Sequence, residues 1–362
     1  MKLERIRLEN FRSYEKQEYR FGERTIIVAP NGAGKTNLLE AIYLLLAGES
    51  ERAGVTEEMI TWEKPIATVN AVLEVNGNQE LGIRNQGSDY IELTVILTRG
   101  SYMGKVTPKR RYLVDGVART KAKFVGKLPV TLFRPEDMRL VEGSPPRRRN
   151  FLDESLTQAH PEYARALTVY EASLRRRNKL LDAIREGVAR REQLTYWDQS
   201  VIKNGNIVSN FRRDFLQYLS RVSTSFGKFK LEYLASEVSP ERLAQYAEAE
   251  VAVGYTLVGP HKDDFKIFQE GKDLMVYGSR GEQRLGVLFM KMAAMKYVEE
   301  KLKIKSLLLL DDIFSELDQL HREEVVVMME GRQTIVTSAE EEAVKLVRGA
   351  EVVRLTKNTL EN

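Results

Sequence analysis

Thr25-Ile26-Ile27-Val28-Ala29-Pro30-Asn31-Gly32-Ala33-Gly34-Lys35-Thr36 decides how the rest of this 362-residue chain is read. The run at 25–28 predicts a short buried strand, and Leu38 to about Leu46 predicts an apolar helix. Strand, glycine-rich loop, Lys-Thr and helix, in that order, form the frame of a phosphate-binding loop. Successive backbone N–H groups and the helix N-terminus create a positive concavity for phosphate oxygens. Pro30, Asn31, Gly32, Ala33, Gly34, Lys35, Thr36 and Asn37 are therefore the candidate phosphate contacts. Gly32 and Gly34 let the backbone approach closely, Lys35 reaches the β- and γ-phosphates, and the Thr36 hydroxyl suits Mg²⁺. The strict pattern has Gly at Ala29, but a residue that ends a strand keeps φ negative and tolerates a Cβ. The competing reading is an ordinary glycine turn before a helix.

Far downstream, Leu307-Leu308-Leu309-Leu310-Asp311-Asp312 has the Walker B pattern. Four leucines suit a strand buried on both faces. Asp311 at its end is the candidate Mg²⁺ carboxylate. Asp312 is placed to orient the attacking water or accept its proton, so Lys35, Asp311 and Asp312 form the candidate catalytic set for ATP hydrolysis. Most ATPases of the ABC class carry Glu at the position of Asp312, and the shorter Asp predicts slow turnover. Two solvated carboxylates capping a buried strand would look the same in isolation.

Between these motifs, Tyr277-Gly278-Ser279-Arg280-Gly281-Glu282-Gln283-Arg284 is similar to the ABC signature. Ser279 matches its serine and Gly281 its second glycine, while Arg280 replaces the first. Leu285, Leu288, Met292 and Met295 continue as one apolar helix face. Ser315-Glu316-Leu317-Asp318 resembles the D-loop, which makes Asp318 a candidate at a nucleotide-bridged interface. In ABC proteins the signature touches the γ-phosphate held by a second subunit, so ATP glues two copies together. The usual switch histidine is missing from Val336-Thr337-Ser338-Ala339, and Thr337 or Ser338 is the expected substitute.

The chain carries 56 Lys plus Arg against 52 Asp plus Glu, a formal net charge of +4 that is too small to argue for nucleic acid alone. With no cysteine, disulfides and Cys-based zinc sites are excluded, and three histidines make a His-rich metal site a poor expectation. No apolar run reaches bilayer length and no signal core opens the chain, so the expected location is cytoplasmic. Residues 3–11 alternate as an edge strand would. Asn76-Gly77 and Asp115-Gly116 predict hairpin turns. Glu154 to Phe226 reads as helical, strands return near residue 250, and Gly281 to Glu300 is helical again. Further strands are expected at Thr334 to Thr337 and Glu351 to Leu355. Roughly 275 residues separate Lys35 from Asp311, room for an inserted lobe. The expected fold is α/β: an ABC-type P-loop ATPase head with a mixed sheet plus an inserted, mainly helical lobe. Residues 1–130 and 300–362 are assigned to the first lobe, and 131–299, with the signature, to the second.

Other landmarks carry a family resemblance. They are Asn10-Phe11-Arg12-Ser13-Tyr14, Asn31 to Ala41, Phe133-Arg134-Pro135-Glu136-Asp137-Met138, Gly143 to Asp153, Gly259-Pro260-His261-Lys262-Asp263-Asp264 and Leu310 to Asp318. Spread over nearly the whole chain, they resemble the RecF family, a branch of SMC-like repair ATPases. The resemblance implies an ATP-dependent homodimer with weak, DNA-stimulated ATPase activity in DNA repair, replication and the SOS response. It also implies binding to double-stranded DNA and to single-strand junctions and gaps. Partners would be RecR and, through it, RecO-like mediators that load RecA. In relatives the Arg-Ser of the first loop lies near nucleotide, making Arg12 and Ser13 candidate contacts; a solvated strand-end charge is the alternative for Arg12.

The cationic clusters are Lys109-Arg110-Arg111, Arg119 with Lys121 and Lys123, Arg147-Arg148-Arg149, Arg175-Arg176-Arg177 and Arg212-Arg213. Cations set on phosphates give salt-dependent, sequence-tolerant affinity, whereas a solvated helix face gives none. Arg147 to Arg149, after Pro145-Pro146 on an expected loop, could instead pair with internal carboxylates. His261 has no nucleophile to serve, and a structural or interface role is expected. Three functional readings remain: an ATPase clamp on DNA, a nucleotide-gated scaffold with incidental hydrolysis, and a P-loop kinase. The signature and D-loop argue against the third.

Overall fold

A computed structural model describes residues 1–75, 90–224 and 227–355. The expected turn at Asn76-Gly77 and the helical end at Phe226 lie outside them. The chain divides into two compact units, Met1–Asp137 with Glu299–Asn362, and Met138–Val298.

The first unit opens with β1 (Lys2–Phe11), β2 (Tyr14–Arg20), β3 (Arg24–Val28) and helix α1 (Lys35–Ala47). It continues with β4 (Ile66–Glu74), β5 (Tyr90–Thr98), β6 (Ser101–Tyr102), β7 (Lys105–Val106), β8 (Arg110–Val114), β9 (Val117–Arg119), the short α2 (Lys121–Phe124) and β10 (Val130–Phe133). The second unit contains α3 (Pro145–Ala159), α4 (Pro161–Arg185), α5 (Thr195–Leu219), β11 (Phe229–Leu234), α6 (Pro240–Val253), β12 (Asp264–Gln269), β13 (Lys272–Asp273) and α7 (Leu274–Tyr277). Helix α8 (Arg280–Leu302) leads back to the first unit. There β14 (Leu307–Asp311), α9 (Gln319–Met328), β15 (Thr334–Ser338), α10 (Ala343–Leu346) and β16 (Glu351–Arg354) complete the order.

Two sheets build the first unit. One is antiparallel, in the order β2-β1-β4-β5-β8-β9; the other is wholly parallel, in the order β10-β14-β15-β3-β16. β10 pairs with β14, so the division between units falls after it. Helix α1 packs against strands of both sheets, and its leucines join the core that fills the space around it. Ile26, Ile27 and the four leucines of β14 are fully buried, as strands covered on both faces require. Gln333 stitches the sheets: its amide donates to the carbonyls of Leu3 at 2.7 Å and Gly22 at 3.0 Å, and its carbonyl accepts from Leu3 N–H. Asp115 at φ 50° and Gly116 at φ 73° make the expected hairpin turn between β8 and β9.

Three readings are corrected. β1 is not an edge strand, because β2 and β4 pair on either side of it. The edge on that side is β2, whose Tyr-Glu-Lys-Gln-Glu-Tyr-Arg sequence is charged as an exposed edge needs to be. Near residue 250 the chain is helical: Ser239 caps α6, Pro240 starts it, and Gly254 at φ 77° ends it. Arg147 to Arg149 sit in the first turns of α3, not on a loop, since a proline is well placed at the first helical position. Among the described residues no helix is long and apolar enough to cross a membrane.

Candidate nucleotide site

β3 delivers the loop 29–34 to the N-terminus of α1. Gly32 (φ 82°) and Gly34 (φ 99°) occupy the left-handed region, and Ala29 does not. At Gly34 a side chain is excluded twice over, since a Cβ would also meet the Tyr14 hydroxyl at 3.0 Å and Ser13 Oγ at 3.1 Å. Lys35 is buried, and its ammonium folds back onto the loop, donating to Ala29 O at 2.6 Å and Pro30 O at 3.3 Å. A cation thus stands beneath the loop, held by neutral carbonyls that a phosphate can outcompete.

β14 and β15 bring the acidic side of the site. The Thr36 hydroxyl donates to Asp311 Oδ1 at 3.3 Å, and Thr337 Oγ1 donates to the same oxygen at 2.7 Å. A hydroxyl and a carboxylate side by side, with no soft donor present, fit a hard oxygen-seeking cation such as Mg²⁺. Asp312 follows in the left-handed region at φ 50°, its N–H donating to Thr337 O at 3.1 Å. Burial pushes its carboxyl above the usual carboxylate range, Asp311 and Glu340 add to that, and the Ala339 N–H and Lys35 oppose it. Ser338 Oγ accepts from the Glu340 N–H at 3.0 Å, so of the two expected substitutes for the switch histidine, only Thr337 touches the Asp311 carboxylate.

The turn between β1 and β2 braces the loop from the other side. Tyr14 OH donates to Gly34 O at 3.0 Å, and Asn37 Nδ2 donates to Ser13 Oγ at 3.0 Å. Arg12, at φ 51°, is neither solvated nor free: it forks onto Glu40 through Nε at 2.9 Å and Nη2 at 2.7 Å. Arg52 donates to Glu40 Oε2 at 3.3 Å and to Asn37 Oδ1 at 3.1 Å. Two guanidiniums therefore share one fully buried carboxylate beside the phosphate loop. Glu40, Arg52 and Tyr14 were not among the expected site residues. The available signal was Glu40 itself, a charge inside Leu38-Leu39-Glu40-Ala41-Ile42 that has to be paired.

Ser279 and Gly281 belong to the second unit. Ser279 opens α8 with a reciprocal cap: its Oγ accepts from the Glu282 N–H at 3.3 Å, and its own N–H donates to Glu282 Oε2 at 2.7 Å. Gly281 is exposed, with nothing near the place a Cβ would take. Asp318 caps α9, accepting from the His321 N–H at 3.0 Å.

Three of the cationic clusters each turn one arginine inward. Arg148 forks onto Asp264 at 2.6 and 2.9 Å. Arg177 reaches Asp198 and Glu250, each at 2.7 Å. Arg212 reaches Asp153 at 2.8 Å and Asp263 at 3.0 Å. His261 lies between the Tyr170 hydroxyl, 2.7 Å from Nδ1, and Thr256 O, 3.0 Å from Nε2, and burial lowers its pKa to about 4. It is a neutral structural residue.

A parallel sheet that carries a phosphate loop and an acidic strand end side by side, together with a signature-like helix start, defines an α/β head of the ABC-type P-loop ATPases. The RecF/RecN/SMC N terminal domain model matches residues 2–361. The DNA replication and repair protein RecF of Moorella thermoacetica is 33% identical over 354 residues, covering 94% of this chain and 90% of its own. Two solved structures are each 26% identical and cover 98% of this chain: RecF-ATPrS in the RecFOR pathway (TM-score 0.83, 96% of that chain) and RecF-ATP in the same pathway (0.82, 95%). The chain belongs to the RecF family of DNA replication and repair proteins.

Proposed function

We propose that this protein is an ATP-dependent DNA-binding switch of recombinational repair and replication restart. The observation that carries the reading is the meeting of the Thr36 hydroxyl and Asp311 at 3.3 Å beside a glycine loop with Lys35 beneath it. Thr36 and Asp311 would hold Mg²⁺, which would supply neutralisation of the phosphate charge. Lys35 would leave the carbonyls of Ala29 and Pro30 for the β- and γ-phosphates. Ser279 and Gly281 of a second copy would close over the γ-phosphate, using the N-terminal N–H groups of α8. Asp318 would lie at the same junction, and Arg12 and Ser13 would position the loop. Asp312 would orient the attacking water, so that slow hydrolysis, stimulated by DNA, releases the dimer.

In this reading the protein acts as a homodimer on DNA gaps and duplex–single-strand junctions and works with RecR- and RecO-like mediators to load RecA; what supports the pathway is that the similar solved structures are of a recombination mediator in the RecFOR pathway. The test is the mass of the chain by light scattering, alone, with ADP-Mg and with ATP-Mg. Doubling with ATP alone is expected. Lys35→Ala should abolish it by losing nucleotide, and Ser279→Arg should abolish it with nucleotide still bound. A mass indifferent to ATP would favour a nucleotide-gated scaffold.

A further inference from the structure

Trp62 is 84% exposed, although an indole offers roughly 200 Å² for burial. It is displayed deliberately by its backbone. Lys64 N–H donates to Thr61 O at 3.1 Å, closing a tight turn whose third residue, Glu63, sits at φ 61°. That conformation is normal for glycine and costly for glutamate, so the turn is held from outside. Thr61 N–H donates to Asn10 O and Thr61 Oγ1 to Arg12 O, both at 2.9 Å. On the other side the Arg99 guanidinium donates to Lys64 O at 3.0 Å and Thr61 O at 3.5 Å. Arg99 stands at the root of the β6–β7 hairpin, which follows directly. The turn that carries Trp62 is therefore held beside that hairpin.

The hairpin segment has one sign of charge. From Val95 to Val114 there are five cations and no carboxylate. Glu57 pairs with Lys109 and Thr56 receives Arg110, but among the described residues no ion pair engages Lys64, Lys105 or Arg111. An exposed aromatic face next to unpaired cations is the composition of a single-strand platform: the ring stacks on an unpaired base while the cations follow the backbone phosphates. A duplex hides its base faces and would use only the cations.

We infer that Trp62, with Lys64 and the β6–β7 hairpin, forms a binding site for single-stranded nucleic acid, separate from the nucleotide loop. The inference rests on the DNA-binding reading above and gives it a location. The experiment uses the full chain carrying Trp197→Phe, which leaves Trp62 as the only tryptophan. Titration with an oligothymidylate in ATP-Mg at low salt should quench its fluorescence. Trp62→Ala should weaken oligothymidylate binding about tenfold, and Trp62→Phe should restore most of it. Duplex binding should be unchanged by either. Unquenched fluorescence at saturation, or equal oligothymidylate affinity of Trp62→Ala, overturns the platform and leaves the DNA-binding reading standing. A parent chain that binds no DNA at all overturns both. Fluorescence that ignores DNA but changes with protein concentration reassigns the indole to a contact between copies and overturns the proposal.

Discussion

The Thr337 hydroxyl lies 2.7 Å from Asp311 Oδ1, closer than the Thr36 hydroxyl on the same oxygen. β15 thus reaches across to orient the carboxylate that β14 supplies. Thr337→Val keeps the shape and removes the donor. The Mg²⁺ concentration that half-saturates ATP hydrolysis should rise about tenfold, as for other partners that orient a metal ligand. Ser338→Ala should leave it unchanged. The measurement is phosphate release against Mg²⁺ at fixed ATP, and equal curves for Thr337→Val and the parent would refute the positioning role.

Asp312→Asn should lower ATP turnover by about a hundredfold or more, the usual range for loss of a general base. The variant should remain dimeric in ATP-Mg by light scattering. A variant with the parent's rate would exclude Asp312 from the chemistry.

Arg212 and Arg213 are neighbours with opposite fates. Arg212 is buried between Asp153 and Asp263, whereas Arg213 is half-exposed, with its guanidinium 5.9 Å from the Tyr233 ring centre. Arg212→Ala should cost about 3–5 kcal/mol, because it strands carboxylates in the interior. Arg213→Ala should cost no more than about 0.5 kcal/mol. Urea unfolding of both variants checks the contrast, and similar midpoints would sink it.

His261 is held neutral, with its pKa lowered to about 4 against an ordinary 6.5. Protons therefore bind the unfolded chain first. The His261 contribution is complete above about pH 6.5 and is lost as pH falls from there towards 4, by up to about 1.4 kcal/mol per pH unit. His261→Asn should shrink the loss of unfolding free energy between pH 7 and 5. An identical pH dependence in both chains would show that the histidine is not the group responsible.

What could be read in advance was local. The strand at 25–28, the loop after it and the leucine strand ending in Asp311 each announce themselves within a dozen residues, through apolar runs that stop at glycine or carboxylate. Caps are equally local, and Ser239, Pro240 and Gly254 could have marked α6. There strand was expected near residue 250, and the caps prevailed. Sheet order is not local: that β1 lies inside its sheet depends on β4, whose partners sit some sixty residues away. The same holds for the arginines. Arg148 finds Asp264 116 residues later, and nothing around Arg148 announces it.

β3, which ends in the phosphate loop, has β15 on one side and β16 on the other. Both neighbours follow residue 333, so a ribosome must pass that point before β3 can be paired in this sheet. The antiparallel sheet needs nothing beyond residue 119 and can form early. Every shorter nascent chain carries Ile26 and Ile27 on an open strand. The phosphate loop therefore hangs on a strand whose cover is made some three hundred residues after it, and a chain cut before residue 334 would leave Ile26 and Ile27 uncovered.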